Sequence, residues 1–211
     1  MHSTMTTDPV VSVPQALAGK HSVWRTSIRF TLVTTLLLGL GYPLLVTGIA
    51  GTLFPHKAAG SLILKDGQVI GSELLAQSFT SDKYFHPRPS LAGSGYDATS
   101  SGGSNLAQSN KALVVRIQGS IDKLAKENPG KPVPIDLVTA SASGLDPDIT
   151  PDAAFFEAPR VAQARGISEE RVQQLIEANI TKRQFGVLGE PRVNVLDLNL
   201  ALDGLAKWCC P

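Results

Sequence analysis

Between Arg29 and His56 the chain carries no charged side chain: the twenty-six residues from Phe30 to Pro55 lie within "IRFTLVTTLLLGLGYPLLVTGIAGTLF" and its next residue. About 20 apolar residues suffice to cross a hydrocarbon core of roughly 30 Å, so this stretch is long enough to span even when tilted. Its thirteen Leu, Ile, Val and Phe residues from Phe30 to Phe54, at about −0.3 to −0.6 kcal/mol each, favour insertion by on the order of −4 to −8 kcal/mol before the penalties of Thr, Gly and Pro43. Gly39, Gly41, Gly48, Gly51 and Pro43 would weaken a soluble helix. A membrane helix tolerates them, because small residues let a neighbouring helix approach. Gly48 and Gly51 are therefore candidate contact positions.

The flanks give an orientation. Lys20, Arg25 and Arg29 precede the span, against Lys57 and Lys65 after it, so the positive-inside rule places the N-terminus in the cytoplasm. The expected organisation is a short cytoplasmic segment, 1–27, a transmembrane helix, 28–54, and an extracytoplasmic domain, 55–211. Gly48-Ile49-Ala50 also offers a small-x-small cleavage pattern, but the apolar stretch is about twice the length of a signal-peptide core.

Beyond the span, 16 Lys and Arg face 17 Asp and Glu, and the whole chain has formal charge +1. No basic cluster suited to nucleic acid stands out. Cys209 and Cys210 are adjacent at the end of the chain, so neither a disulfide framework nor a CxxC metal site follows from them.

The outer part reads as one mixed α+β domain. "SLILKDGQVIGSELL" places Asp66-Gly67 between two apolar runs, the signal for a hairpin with a type I′ turn. Residues 76–105 have no period. They are rich in Gly, Ser and Pro, yet carry Phe79, Tyr84, Phe85, Arg88 and Tyr96, residue types that dominate protein interfaces. So long a loop is expected to be functional or pinned. These five residues, with Asp146, are interface candidates; the alternative is that the aromatics plug the loop onto its own core. A helical pattern is predicted from Asn105 to Pro129-Gly130, with Ser104 or Asn105 as N-cap. "PVPIDLVTAS" reads as a strand. Thr150-Pro151 opens a helix, Ser168 opens another with Glu169 and Glu170 in its first turn, and "RVNVLDLNLALDGLAKW" reads as a short strand and a closing helix.

Catalytic motifs are sparse. Only His56 and His86 lie beyond the span, and no GxSxG elbow accompanies them. Asp146 and Asp148 in "GLDPDIT" could pair as acids or cation ligands, but Asp beside Pro in a turn is ordinary capping chemistry. Ser101, Gly102, Gly103, Ser104 and Asn105 are anion or nucleotide candidates, since a helix start exposes unpaired N–H groups. A P-loop would need GxxxxGK[ST], and Lys111 comes too late. From composition alone, a membrane-anchored extracytoplasmic small-molecule-binding protein or hydrolase stays open.

The blocks "GSELLAQSF", "YFHPRPS", "GYDATSSGGSNLAQSNKAL", "VPIDLVTASASGLDPDITPDAA" and "LGEPRVNVLDLNLALD" resemble the C subunit of the Kdp potassium-transporting P-type ATPase, from the span to near the C-terminus. The resemblance implies a single-pass protein of the bacterial inner membrane. Its partners would be a channel-like potassium-translocating subunit, a P-type ATPase subunit and a small accessory peptide. It also implies no catalysis by this chain, which has neither a DKTGT phosphorylation motif nor a TVGYG-like filter. The family is described as a catalytic chaperone that raises the ATPase subunit's affinity for ATP, with a Gly-Ser-rich motif proposed to help hold nucleotide. No tightly bound cofactor is expected; ATP enters only through that description. An outer location would keep "SSGGSN" from cytoplasmic ATP and make the effect indirect. The pattern departs at Asp148, where the family has histidine, and in "FFEAPRVA", which lacks a glutamine before the RVA block. Roles tied to those side chains do not carry over.

Overall fold

The computed structural model describes residues 20–65 and 67–206. Cys209, Cys210 and Asp66 lie outside the described residues. The chain divides after Ala58 into two units. In the first, α1 (Lys20–Thr34) runs through a π-helical segment (Thr35–Gly41) into α2 (Tyr42–Leu53), followed by a single turn, α3 (Pro55–Ala58). The π segment ends at Gly41, two residues before Pro43. Proline has no N–H to donate and its ring crowds the carbonyl four residues back, so a widened turn admits it without ending the helix. The Tyr42 N–H accordingly donates to Leu37 O, five residues back. Thr34 and Thr52 turn their hydroxyls onto carbonyls of the preceding turn, Phe30 O at 2.7 Å and Gly48 O at 3.0 Å. From Phe30 to Leu53 this helix carries no charged residue, and its large apolar side chains are exposed. A helix apolar all round requires an apolar environment, and its length and composition fit a membrane span.

The second unit is mixed α and β. Strands β1 (Leu62–Lys65) and β2 (Gln68–Ser72) form the expected antiparallel hairpin, with Gly67 at φ 77° and a bulge after Ile63. Helix α4 (Lys111–Glu127) follows the long aperiodic segment. A three-stranded antiparallel sheet then has β5 (Arg192–Asn194) between β3 (Asp148–Ile149) and β4 (Ile180–Thr181). Helices α5 (Pro151–Arg165), α6 (Glu169–Ala178) and α7 (Val195–Ala206) complete the unit. Val161, Val172, Ile176, Val193, Leu198 and Leu202 meet in one core.

Local chemistry sets the helix ends. The Thr150 hydroxyl accepts the Ala153 N–H and is followed by Pro at the first turn, and the Ser168 hydroxyl accepts the Arg171 N–H, both where the sequence places them. Gly166, at φ 66°, closes α5 in the left-handed conformation. Two expectations are overturned. The N-cap of α4 is Asn110, whose side chain accepts the Ala112 N–H at 2.9 Å. Asn105 instead has φ 50°, and Ser104 receives the Leu106 N–H in a local turn. "PVPIDLVTAS" is no strand: Pro132 and Pro134 have no ladder donors, and Ile135–Leu137 winds into a 3-10 turn whose Asp136 carboxylate accepts the Thr150 N–H at 2.8 Å.

Asn199 joins the aperiodic segment to the core. From α7, its Oδ1 accepts the Phe85 N–H at 2.8 Å and its Nδ2 donates to Phe85 O at 3.0 Å. Both residues are buried. Asn199→Ala should leave both backbone groups orphaned at about 1–3 kcal/mol each. Chemical denaturation of the full chain in detergent should show the midpoint falling accordingly.

Candidate functional site

The candidate site is the segment between β2 and α4, which runs from Glu73 to Asn110 with no helix or strand. Buried backbone without regular structure needs other hydrogen-bond partners, and charged side chains of the domain provide them. Arg160 on α5 donates to Asp82 O at 2.8 Å and to Tyr84 O at 3.1 Å, and from a second nitrogen to Glu157 Oε1 at 2.8 Å. Glu157 in turn accepts the His86 N–H at 2.9 Å. Arg165 donates to Lys83 O at 2.6 Å and Asp203 Oδ1 at 2.9 Å, with its guanidinium 4.9 Å from the centre of the Tyr84 ring. The Tyr84 hydroxyl donates to Asp203 Oδ2 at 3.3 Å, and Phe79 lies against the same ring at 5.6 Å.

Further along, Arg88 donates to Asp146 Oδ2 at 3.0 Å and to the Thr139 carbonyl and hydroxyl. The Tyr96 hydroxyl donates to Arg88 O at 3.0 Å. Asp148 is held by Arg192 at 2.9 Å. Arg88 and Asp146 thus satisfy each other, and Tyr84 and Tyr96 have polar partners within the domain. Phe85 is fully buried, so as an interface candidate it is corrected: its side chain fills the chain's own core. Gly48 and Gly51 lie in the first unit with open space where a side chain would project.

Ser101–Asn105 does not open a helix, which begins only at Lys111, so the helix-start argument for an anion does not apply to it. It packs instead along 141–145. The Gly102 N–H and the Ser101 hydroxyl both donate to Ser143 O, at 2.8 and 3.0 Å. The close approach requires glycine. A methyl on Gly103 would sit 3.0 Å from Ala142 O, and one on Gly144, at φ 68°, would sit 2.6 Å from Gly102 O and 2.8 Å from Ala92 N.

Burial shapes the titration of this region. Glu157 is pushed up to about 7 by desolvation, against the pull of Arg160 and the His86 N–H. The His86 imidazole is held below its usual range by burial and by Arg160. Both residues line a cleft of about 490 Å³ that also takes in Thr80, Tyr96, Ser120 and Lys123. Burial also raises Asp148, with Asp146 adding to the effect. Among the described residues no three His, Cys, Asp or Glu side chains converge as a metal site.

Sequence reasoning missed Glu157, Arg160, Arg165 and Asn199. The signal was available in "AAFFEAPRVA" and "LDLNLAL", where charged or amide residues interrupt otherwise apolar helical faces.

Comparison with known proteins gives a consistent result. The family model described as K+-transporting ATPase, c chain (KdpC) matches residues 24–204. A potassium-transporting ATPase KdpC subunit of Rhodopseudomonas palustris is 56% identical over 191 residues, covering 85% of this chain and 96% of its own length. The subunit of the same name from Acidobacterium capsulatum is 57% identical over 180 residues with the same coverage, and that from Koribacter versatilis is 54% identical over 186 residues, covering 88% of this chain and 96% of its own length.

Two outcomes follow for the loop. Gly144→Ala should destabilise the domain by more than about 1 kcal/mol and speed protease cleavage within 90–105, read by limited proteolysis. For Glu157, the folded chain holds a proton between its ordinary value of 4.5 and about 7. Its contribution to stability is therefore complete below about 4.5 and lost as pH rises through about 7. The His86 contribution runs oppositely, complete above 6.5 and lost on acidification. The melting-temperature advantage of wild type over Glu157→Gln should shrink between pH 4.5 and 7.5; a constant difference would contradict the assignment.

Proposed function

The chain belongs to the KdpC family, the c chain of K+-transporting ATPases, and from that premise we propose how this accessory, non-catalytic subunit works. The apolar helix anchors it in the bacterial inner membrane with the N-terminus in the cytoplasm and the α+β domain outside. The support is the charge asymmetry across the span, Lys20, Arg25 and Arg29 before it against Lys57 and Lys65 after it. Around Gly48 and Gly51 the helix packs on the channel-like potassium-translocating subunit, since small residues allow close helix approach. The P-type ATPase subunit and the small accessory peptide complete the complex, and the outer domain sits over the extracytoplasmic mouth of the translocating subunit.

In this reading the chain holds no cofactor of its own and raises ATP affinity in the ATPase subunit indirectly. Such coupling needs only that assembly favour the ATP-binding state of the partner. The observation that carries the indirect route is the engagement of Ser101–Gly103 by Ser141–Ser143. This segment is built as a packing surface between two loops and lacks the helix start on which nucleotide binding was argued.

Topology is the test. With Cys209 and Cys210 replaced by serine, single cysteines at Ser101 and at the exposed Glu170 should both react with a membrane-impermeant maleimide in intact cells. If both stay protected until the inner membrane is permeabilised, the orientation is reversed. Direct nucleotide contact at Ser101 would then return as the better reading.

A further inference from the structure

The connection between β4 and β5 ends in an apolar tip that nothing in the domain covers. Every residue from Thr181 to Glu190 is exposed; Phe185 is 92% exposed, Val187 72% and Leu188 56%. No other large apolar side chain among those described is as bare as Phe185. The tip is nevertheless built. Gln184 and Leu188 exchange both backbone hydrogen bonds at 2.9 Å, and the Val187 N–H closes a turn onto Gln184 O at 3.2 Å. Phe185 and Gly186 are both left-handed, with φ 52° and 77°, and with Val187 form the three-residue connection between the paired Gln184 and Leu188, a conformation usually left to Gly or Asn. A phenylalanine is a strained choice there, and strained backbone at an exposed position points to use rather than packing. Arg183 pairs with Glu190 across the neck, and Arg192 with Asp148 at its base. Lys182 stands beside them with an exposed side chain.

An aromatic and aliphatic tip beside the exposed Lys182, with Arg183 shared with Glu190 at the neck, is the pattern of an element at a bilayer interface. The rings and methyls enter the acyl boundary while the cations stay among the headgroups. Only Ala59–Ser61 separate the last helical turn from β1, so the domain is tethered to the apolar helix by about 10 Å of chain. We propose that the 182–188 tip is a wedge for an anionic phospholipid surface. It would give the domain a second membrane attachment besides its helix. The assignment goes beyond subunit function and is independent of orientation, since either leaflet presents headgroups.

The test uses the full chain, reconstituted alone in nanodiscs of mixed phosphatidylglycerol and phosphatidylcholine, with Cys209 and Cys210 replaced by serine. A bimane label is placed at Phe185→Cys or at Val115→Cys, the latter a position 72% exposed on α4. Shallow spin-labelled lipid should quench the 185 label about threefold more than the 115 label, and aqueous iodide correspondingly less. Lys182→Glu combined with Arg183→Glu should bring the 185 label to the level of 115. Equal iodide access at both sites would overturn the proposal, as would indifference to the charge reversal. So would shielding of 185 only when the other ATPase subunits are present, which would make the tip a protein-docking element.

Discussion

A segment of nearly forty residues without helix or strand can bury Ala76, Phe85, Pro87 and Ala92 only if something other than a ladder completes the backbone hydrogen bonds around them, and in this domain helix side chains do so around Phe85. Asn199 serves the Phe85 peptide groups from α7 as a neighbouring strand would. Arg160 and Arg165 take the carbonyls of 82–84 from α5, and Arg88 reaches Thr139 from within the loop itself. The apolar contribution of Phe85 depends on these polar contacts, because its ring cannot enter the core unless its own N–H and C=O are satisfied on the way.

Glu157 and Arg160 are the costly part of this arrangement. Burying a carboxylate and a guanidinium draws a desolvation penalty that their attraction only partly offsets, and a well-packed apolar pair would often be as stable. What the ionic pair supplies is direction. Three backbone groups of the loop converge on it, so a loop shifted by one residue would lose the match between those groups and the pair. The same burial places the proton of Glu157 near neutrality, which ties the stability of the loop to pH over a range where most carboxylates are already ionised.

How much of this was legible in the sequence differs by element. The long apolar helix, the Asp66-Gly67 hairpin and the caps Thr150 and Ser168 were readable because each depends on neighbours in sequence: a charge-free run, a turn dipeptide, a hydroxyl before a first turn. The errors arose where distant partners decide. Ser104 and Asn105 looked like caps by composition, but their segment is committed to 141–145, and the helix waits until Asn110. "PVPIDLVTAS" had the apolar content of a strand, while Asp136 was reserved for the Thr150 N–H across the domain. The two-residue strands β3 and β4 are too short to leave a period. Within the candidate site, that so long a loop would be pinned was legible in its length and aromatics. Which side chains hold it was not, because a contact such as Phe85 to Asn199 spans 114 positions.

The widened turn at Thr35–Gly41 also alters the helix that contains it. A π turn takes up roughly one residue more than an α turn, and each residue advances a helix by about 100°. Side chains before Thr35 and after Gly41 are therefore out of phase with a continuous helical stripe. A surface that follows the Phe30 side of the first half will not meet Gly48 and Gly51 on the second. The two halves of one apolar rod thus present different azimuths, and a single straight neighbour cannot read both.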